Sequence, residues 1–294
     1  MKPTRFDYHD PETLDETLTL IGDLGEDATL LAGGQSLVPM MNLRLVQPAA
    51  IVDLNRVTGL AYVRADAGHL ALGAMTRARA LERSPDVAAH APLLAEAMPH
   101  VAYAAIRRRG TVGGSVAHAD PAAEMPCALV AADATVVLAG ATRRRELAAT
   151  DFFSAPFMTA REPDELLVEI RVPAAPPGTA TAFTEFARKS GDFALALAAV
   201  ALTVKDGRCT RARVVLGGVA AAPVRATAAE ELLEAEGLAG PALREAALLA
   251  AGAVEPTGDS HGSGEYRKRL AAVQVRRALE TAAERAAATA NGKV

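Results

Sequence analysis

The chain has 294 residues, 50% of them hydrophobic and only 4% aromatic, and carries a formal net charge of -4. That length fills about two domains, and the mildly acidic balance gives no general attraction for nucleic acid or anionic lipid. Cys127 and Cys209 form neither a CxxC pair nor a zinc set and are too few for an iron–sulfur cluster; with no apolar run near the roughly 20 residues of a membrane span, the expectation is a cytoplasmic chain with reduced thiols and no transmembrane segment.

Pro11-Glu12-Thr13 opens a helix that carries Leu14, Leu18 and Ile21 at helical spacing and ends at Gly25 and Asp27. Thr29-Leu30-Leu31 is a short buried strand running into Ala32-Gly33-Gly34-Gln35-Ser36-Leu37, and Ile51-Val52-Asp53-Leu54 is the next strand, a βαβ-like unit. Tyr62-Val63 and 70–73 pair as a hairpin. Thr76 is read as the cap of a helix through about Arg83, Pro85-Asp86 starts another reaching Met98, and a third helical stretch ends at Arg109-Gly110. A second glycine turn follows, Thr111-Val112-Gly113-Gly114-Ser115, then a helix over 122–131 and strands over 135–138 and 166–172. Ala174-Ala175-Pro176-Pro177-Gly178 is a linker signal. Beyond it, 182–186, 195–204 and 213–216 read as antiparallel strands with a turn at Lys205-Asp206-Gly207, followed by helices over about 226–236 and 241–252 and a last one carrying Tyr266, Leu270 and Val273. The pattern predicts an α+β chain: a first domain over 1–175, in subdomains of about 1–57 and 58–175, and a second over 179–290 made of an antiparallel sheet plus helices.

Familiar motifs for nucleotide or metal chemistry, GxGxxG, GxxxxGK[ST] and HExxH, are absent. The two glycine segments carry the chemistry instead. Glycine lets backbone approach a ligand without an intervening Cβ, successive N–H groups form a nest for an anion, and Ser36, Thr111 and Ser115 add donors. Two such loops could clamp a diphosphate from both sides. Gly217-Gly218, by contrast, reads as a strand end. The basic runs Arg107 to Arg109 and Arg143 to Arg145 read as solvated charge, with an anion or partner contact as the alternative for the first. His118-Ala119-Asp120-Pro121-Ala122-Ala123-Glu124 admits a metal site, a capped helix start at Asp120, or a carboxylate at Glu124 for a ribose; its spacing fits no usual ligand pattern, so no metal and no catalytic dyad is assigned.

The two glycine segments, with the His118–Glu124 stretch after the second, resemble the flavin-binding medium subunit of the molybdenum hydroxylases, the family of xanthine dehydrogenase and carbon monoxide dehydrogenase. The likeness continues through Ile51-Val52-Asp53-Leu54-Asn55, Leu72-Gly73-Ala74-Met75-Thr76, Arg188-Lys189-Ser190-Gly191-Asp192-Phe193-Ala194, Tyr266-Arg267 and Arg276-Arg277-Ala278-Leu279, so it spans essentially the whole chain. The resemblance implies a two-part FAD-binding domain of the PCMH/vanillyl-alcohol-oxidase type, followed by a C-terminal domain of the carbon monoxide dehydrogenase flavoprotein type. It implies FAD as cofactor, with Ala32, Gly33, Gly34, Gln35, Ser36 and Leu37 at the pyrophosphate. Thr111, Gly114 and Ser115 would complete the phosphate and ribityl contacts, Asp120 and Glu124 would serve the adenosine side, and Leu167 and Phe193 would lie near the flavin ring; Phe193 could equally be an inward-facing strand residue.

The partners implied are a molybdopterin-binding large subunit and a [2Fe-2S] small subunit, in a dimer of heterotrimers, with FAD passing electrons to an external acceptor. A self-contained FAD oxidoreductase and a cofactor-free scaffold remain alternatives. So does a serine hydrolase, because Gly258-Asp259-Ser260-His261-Gly262 matches GxSxG although no buried strand is expected before it.

Overall fold

The computed structural model describes residues 1–66 and 68–290. Alternation along the strands decides which core each faces. A five-stranded antiparallel sheet runs Val63–Asp66, His69–Gly73, Leu166–Pro173, Thr135–Ala139, Arg144–Ala148 in spatial order. On its central strands Val137, Ala139, Leu166 and Val168 enter one core, while Val136, Leu138, Leu167 and Ile170 enter the other, as a two-residue side-chain period requires. A bulge between Leu167 and Glu169 re-aims the strand midway.

A small parallel sheet covers the first face, with Asp7–His9 and Ala28–Leu31 flanking Ala50–Asp53. Its connecting helix Leu14–Leu24 buries Leu18 and Ile21 against Val52, and Thr13 caps it by accepting from the Glu16 N–H. Short helices cover the second face. The expected helix from Pro85 to Met98 is two, Pro85–His90 and Pro92–Ala97, because Pro92 has no N–H to continue the ladder. Thr76 caps nothing; its hydroxyl donates to the Tyr62 carbonyl at 2.8 Å and accepts from the Tyr62 N–H at 2.9 Å, latching the hairpin.

The second sheet is antiparallel, ordered Thr179–Phe186, Ala196–Lys205, Arg208–Gly217, Val224–Arg225. Ala198, Val200, Val214 and Leu216 face helices Thr227–Glu236, Gly240–Gly252 and Gly264–Ala290. Leu197, Ala199 and Val215 face the first half of the chain. Helix Glu124–Ala131 lies against that side and is buried at every position, which accounts for its nearly unbroken apolar sequence. Cys127 is buried there, its Sγ 3.4 Å from the Val215 carbonyl, and burial pushes its thiol pKa well up. No described helix is long and apolar enough to cross a membrane.

Candidate functional site

A cleft of about 650 Å³ opens between the small parallel sheet, the central sheet and the loop 187–195. Every residue expected at the cofactor lines it: Ala32, Gly33, Gly34, Gln35, Ser36 and Leu37; Thr111, Gly114 and Ser115; Asp120, Glu124, Leu167 and Phe193. Its size suits a large organic ligand, and Leu54, Met75, Met98 and Leu166 give it apolar walls.

The two glycine segments meet. A Cβ on Gly33 would lie 2.6 Å from the Arg109 carbonyl oxygen and 2.7 Å from the Gly110 Cα, and one on Gly114 would lie 3.4 Å from the Ala32 Cβ. Side chains at these glycines would fill the seam. Gly34 has φ +72, a left-handed turn that points the chain into helix Leu37–Asn42. Among the described residues, no hydrogen bond uses the N–H of Gly33, Gly34, Gln35, Ser36 or Leu37. These residues line the cleft beside the start of a helix.

The second segment departs from expectation. It is not a turn but the first turn of helix Val112–His118, with Thr111 as its cap. Its amides are already engaged: Val112 to the Thr76 carbonyl at 3.0 Å, Gly113 to the Ala74 carbonyl at 2.8 Å, Gly114 to Thr111 Oγ1 at 3.1 Å and Ser115 to the Thr111 carbonyl at 3.0 Å. Most of the open amides for the expected clamp therefore lie on the first segment. This segment contributes close approach, the Thr111 N–H and the Ser115 hydroxyl, while the run of open amides belongs to residues 33–37.

At Asp120 the carboxylate accepts from the Ala122 N–H at 2.9 Å, an Asx turn ahead of helix Glu124–Ala131, whose cap position is Ala123. Glu124 is 8% exposed. Burial pushes its pKa up to about 7, with its own backbone N–H opposing and the Asp120 charge adding to the rise. The His118 ring packs on Phe157 with centroids 5.1 Å apart, and no group of three or more His, Cys, Asp or Glu side chains able to hold a metal occurs among the described residues. Phe193 is not an inward strand residue; it sits on the loop before strand Ala196–Lys205, 71% exposed at the cleft. Gly191 on the same loop lies against the Tyr103 ring, where a Cβ would come within 2.6 Å of an edge carbon.

Arg107 is not solvated charge. It is buried, pairs with Glu82 at 2.9 Å and donates to the Val101 and Ala102 carbonyls at 2.8 and 3.0 Å. Its guanidinium holds the Glu82 carboxyl below the usual range. Sequence reasoning missed Tyr103, Met75, Met98 and the half-buried Arg161 as cleft residues; isolated apolar or basic positions carry no signal before the fold is known. The segment before Gly258 is not a strand, and Asp259 there accepts from the His261 and Gly262 N–H groups and pairs with Arg267. That is a turn, not the elbow a serine nucleophile needs.

The cleft has features that suit FAD: a glycine seam where Cβ atoms would intrude, open amides for a diphosphate and apolar walls for rings. Residues 4–175 match the model described as "FAD binding domain in molybdopterin dehydrogenase", and residues 181–282 match "CO dehydrogenase flavoprotein C-terminal domain". The chain is 39% identical to 6-hydroxypseudooxynicotine dehydrogenase complex subunit alpha of Paenarthrobacter nicotinovorans, over 98% of each chain. It is 40% identical to the carbon monoxide dehydrogenase medium chain of Hydrogenophaga pseudoflava, over 98% of this chain and 100% of that one. A solved carbon monoxide dehydrogenase from the same organism, one that lacks the Mo-pyranopterin moiety, superposes with a TM-score of 0.94 at 42% identity, over 96% of this chain and 98% of that one. These relatives are subunits of multi-subunit oxidoreductases.

Proposed function

Because the chain belongs to the family of FAD-binding medium subunits of the molybdenum hydroxylases, we propose that it holds FAD along this cleft and relays electrons from a partner subunit to an external acceptor. The observation that carries the reading is the seam where Gly33 lies against Arg109-Gly110 and Gly114 against Ala32, beside a run of unused amides. The N–H groups of residues 33–37 hold the diphosphate. Gly33 and Gly114 keep the seam narrow, and Ser115 supplies a hydroxyl.

Bound FAD supplies the exchange between single electrons on one side and a two-electron reduction on the other. The chain's own part is to bind, orient and shield it. Asp120 is locked into its turn, and among the described residues no nucleophile is hydrogen-bonded to a base in the cleft; substrate oxidation belongs to a partner. The partners are a molybdopterin-binding large subunit and a [2Fe-2S] small subunit, in a dimer of heterotrimers. The named relatives act on compounds as different as carbon monoxide and 6-hydroxypseudooxynicotine, which fits a substrate chosen outside this chain.

The test is co-purification of the chain with its native partners, followed by flavin, iron and molybdenum analysis. FAD, iron and molybdenum in one complex are expected, with flavin bleached by substrate only when the partners are present. A complex free of FAD, or substrate turnover by this chain alone, overturns the reading.

A further inference from the structure

We infer that Arg77 is the positioning residue that sets the diphosphate cradle, because its guanidinium ties the first glycine segment to the second from behind. This rests on the FAD reading above. Arg77 lies outside the cleft lining, so it acts through other residues.

Its Nη1 donates to the Arg109 carbonyl at 2.5 Å. That same oxygen is the floor under Gly33, the atom a Cβ there would meet first. Its Nη2 donates to Asn55 Oδ1 at 2.6 Å. Asn55 in turn donates through Nδ2 to the Ala32 carbonyl at 2.9 Å, and its side chain is steadied by Asp53, which also accepts from the Tyr8 hydroxyl at 2.7 Å. One planar fork thus grips the residue before Gly110-Thr111 and, through one amide side chain, the residue before Gly33-Gly34. The main chain around it is held as well: Arg77 bridges Thr111 in antiparallel fashion, with Val112 N–H to the Thr76 carbonyl at 3.0 Å and Ala78 N–H to the Gly110 carbonyl at 2.9 Å.

A lysine could keep the charge but not both contacts, since the fork is what spans them. The cation is held at some cost. Burial and then the neighbouring Arg109 guanidinium disfavour its charged form, with only Asp53 opposing. A charge-assisted bond to the scaffold of each glycine segment is what this placement gains.

The test uses the chain with its accompanying subunits, stripped of flavin and titrated separately with FAD, ADP and riboflavin. Arg77→Met is expected to weaken FAD and ADP in parallel, each by about thirtyfold, and riboflavin by less than about twofold. Arg77→Lys recovers little of the loss. Asn55→Ala breaks the same chain of bonds at its other end, so it produces the same selective loss alone and adds little on top of Arg77→Met. If Arg77→Met does not fold, Asn55→Ala alone decides by the same three titrations. The inference falls if diphosphate affinity is unchanged, if Arg77→Lys restores it fully, or if riboflavin weakens as much as FAD. Wild-type protein that binds neither FAD nor ADP would instead sink the FAD reading itself.

Discussion

At residues 33–37 the chain turns through Gly34 at φ +72 and leaves its N–H groups without internal partners, whereas at 112–115 a similar sequence begins a helix and spends its amides on the protein. Two Gly-Gly pairs, each followed by a small hydroxyl or amide residue, therefore do different work. The first donates; the second makes room. A short motif specifies where backbone can approach, and the flanking structure decides whether its donors remain open.

The difference can be broken by substitution. The largest effect is expected for Gly113→Val, whose Cβ would lie 2.6 Å from the Ala74 Cβ and 2.8 Å from the Ala74 carbonyl oxygen, backbone that cannot step aside. A loss of ~3 kcal/mol, the upper end for overpacking, should appear as a lower urea midpoint. Unchanged stability would mean that the second segment has room for a side chain beside Ala74. Gly34→Val comes next, at about 1–2 kcal/mol for a left-handed residue that gains a side chain. Its neighbours, Leu31 Cδ1 and Val38 Cγ2 at 3.2 Å, are side-chain ends that can give. Folded protein with little FAD is expected, read by absorbance; full flavin occupancy in this variant would remove the diphosphate from the first segment. Thr111→Val follows, with loss of the cap costing ~1 kcal/mol in thermal unfolding and only a modest change in flavin affinity.

A last effect depends on pH. Glu124 has its pKa raised to about 7 by burial, so the folded chain binds that proton more tightly than the unfolded one. The stability it contributes is complete below the ordinary carboxylate range and is lost as pH rises through about 7. Glu124→Gln should match wild type near pH 4 and exceed it in unfolding free energy at pH 8. A variant that tracks wild type at both values would show that the carboxyl is better solvated than its burial implies.

Much of the fold was legible because apolar runs are nearly unbroken where a strand is sandwiched between two cores, as in 135–139, 166–173 and 196–205. Arg144–Ala148 was not, because its alternation is written in Arg and Glu on an edge strand, with Arg145 paired to the buried Glu165 at 2.7 Å. Asp7–His9 is short and polar, and parallel pairing to Ala50–Asp53 comes from far along the chain. The cleft residues were readable as motifs. Their division of labour was not, because whether an amide is spent depends on Thr76 and Ala74, which no local pattern connects to Gly113. Arg77 is likewise a lone basic residue until the chain brings Arg109 and Asn55 to it.

Helix Glu124–Ala131 is buried at every position and meets the cleft only at its first turn. Cutting the chain in the 174–178 linker would strip one flank of it bare, together with the Gly218-to-Pro121 and Arg285-to-Glu96 ties. Neither fragment should therefore survive expression alone as a well-behaved monomer, and calorimetry of the intact chain should trace a single endotherm. Heat or proteolysis that loosens the C-terminal sheet would unmake the cleft in the same event.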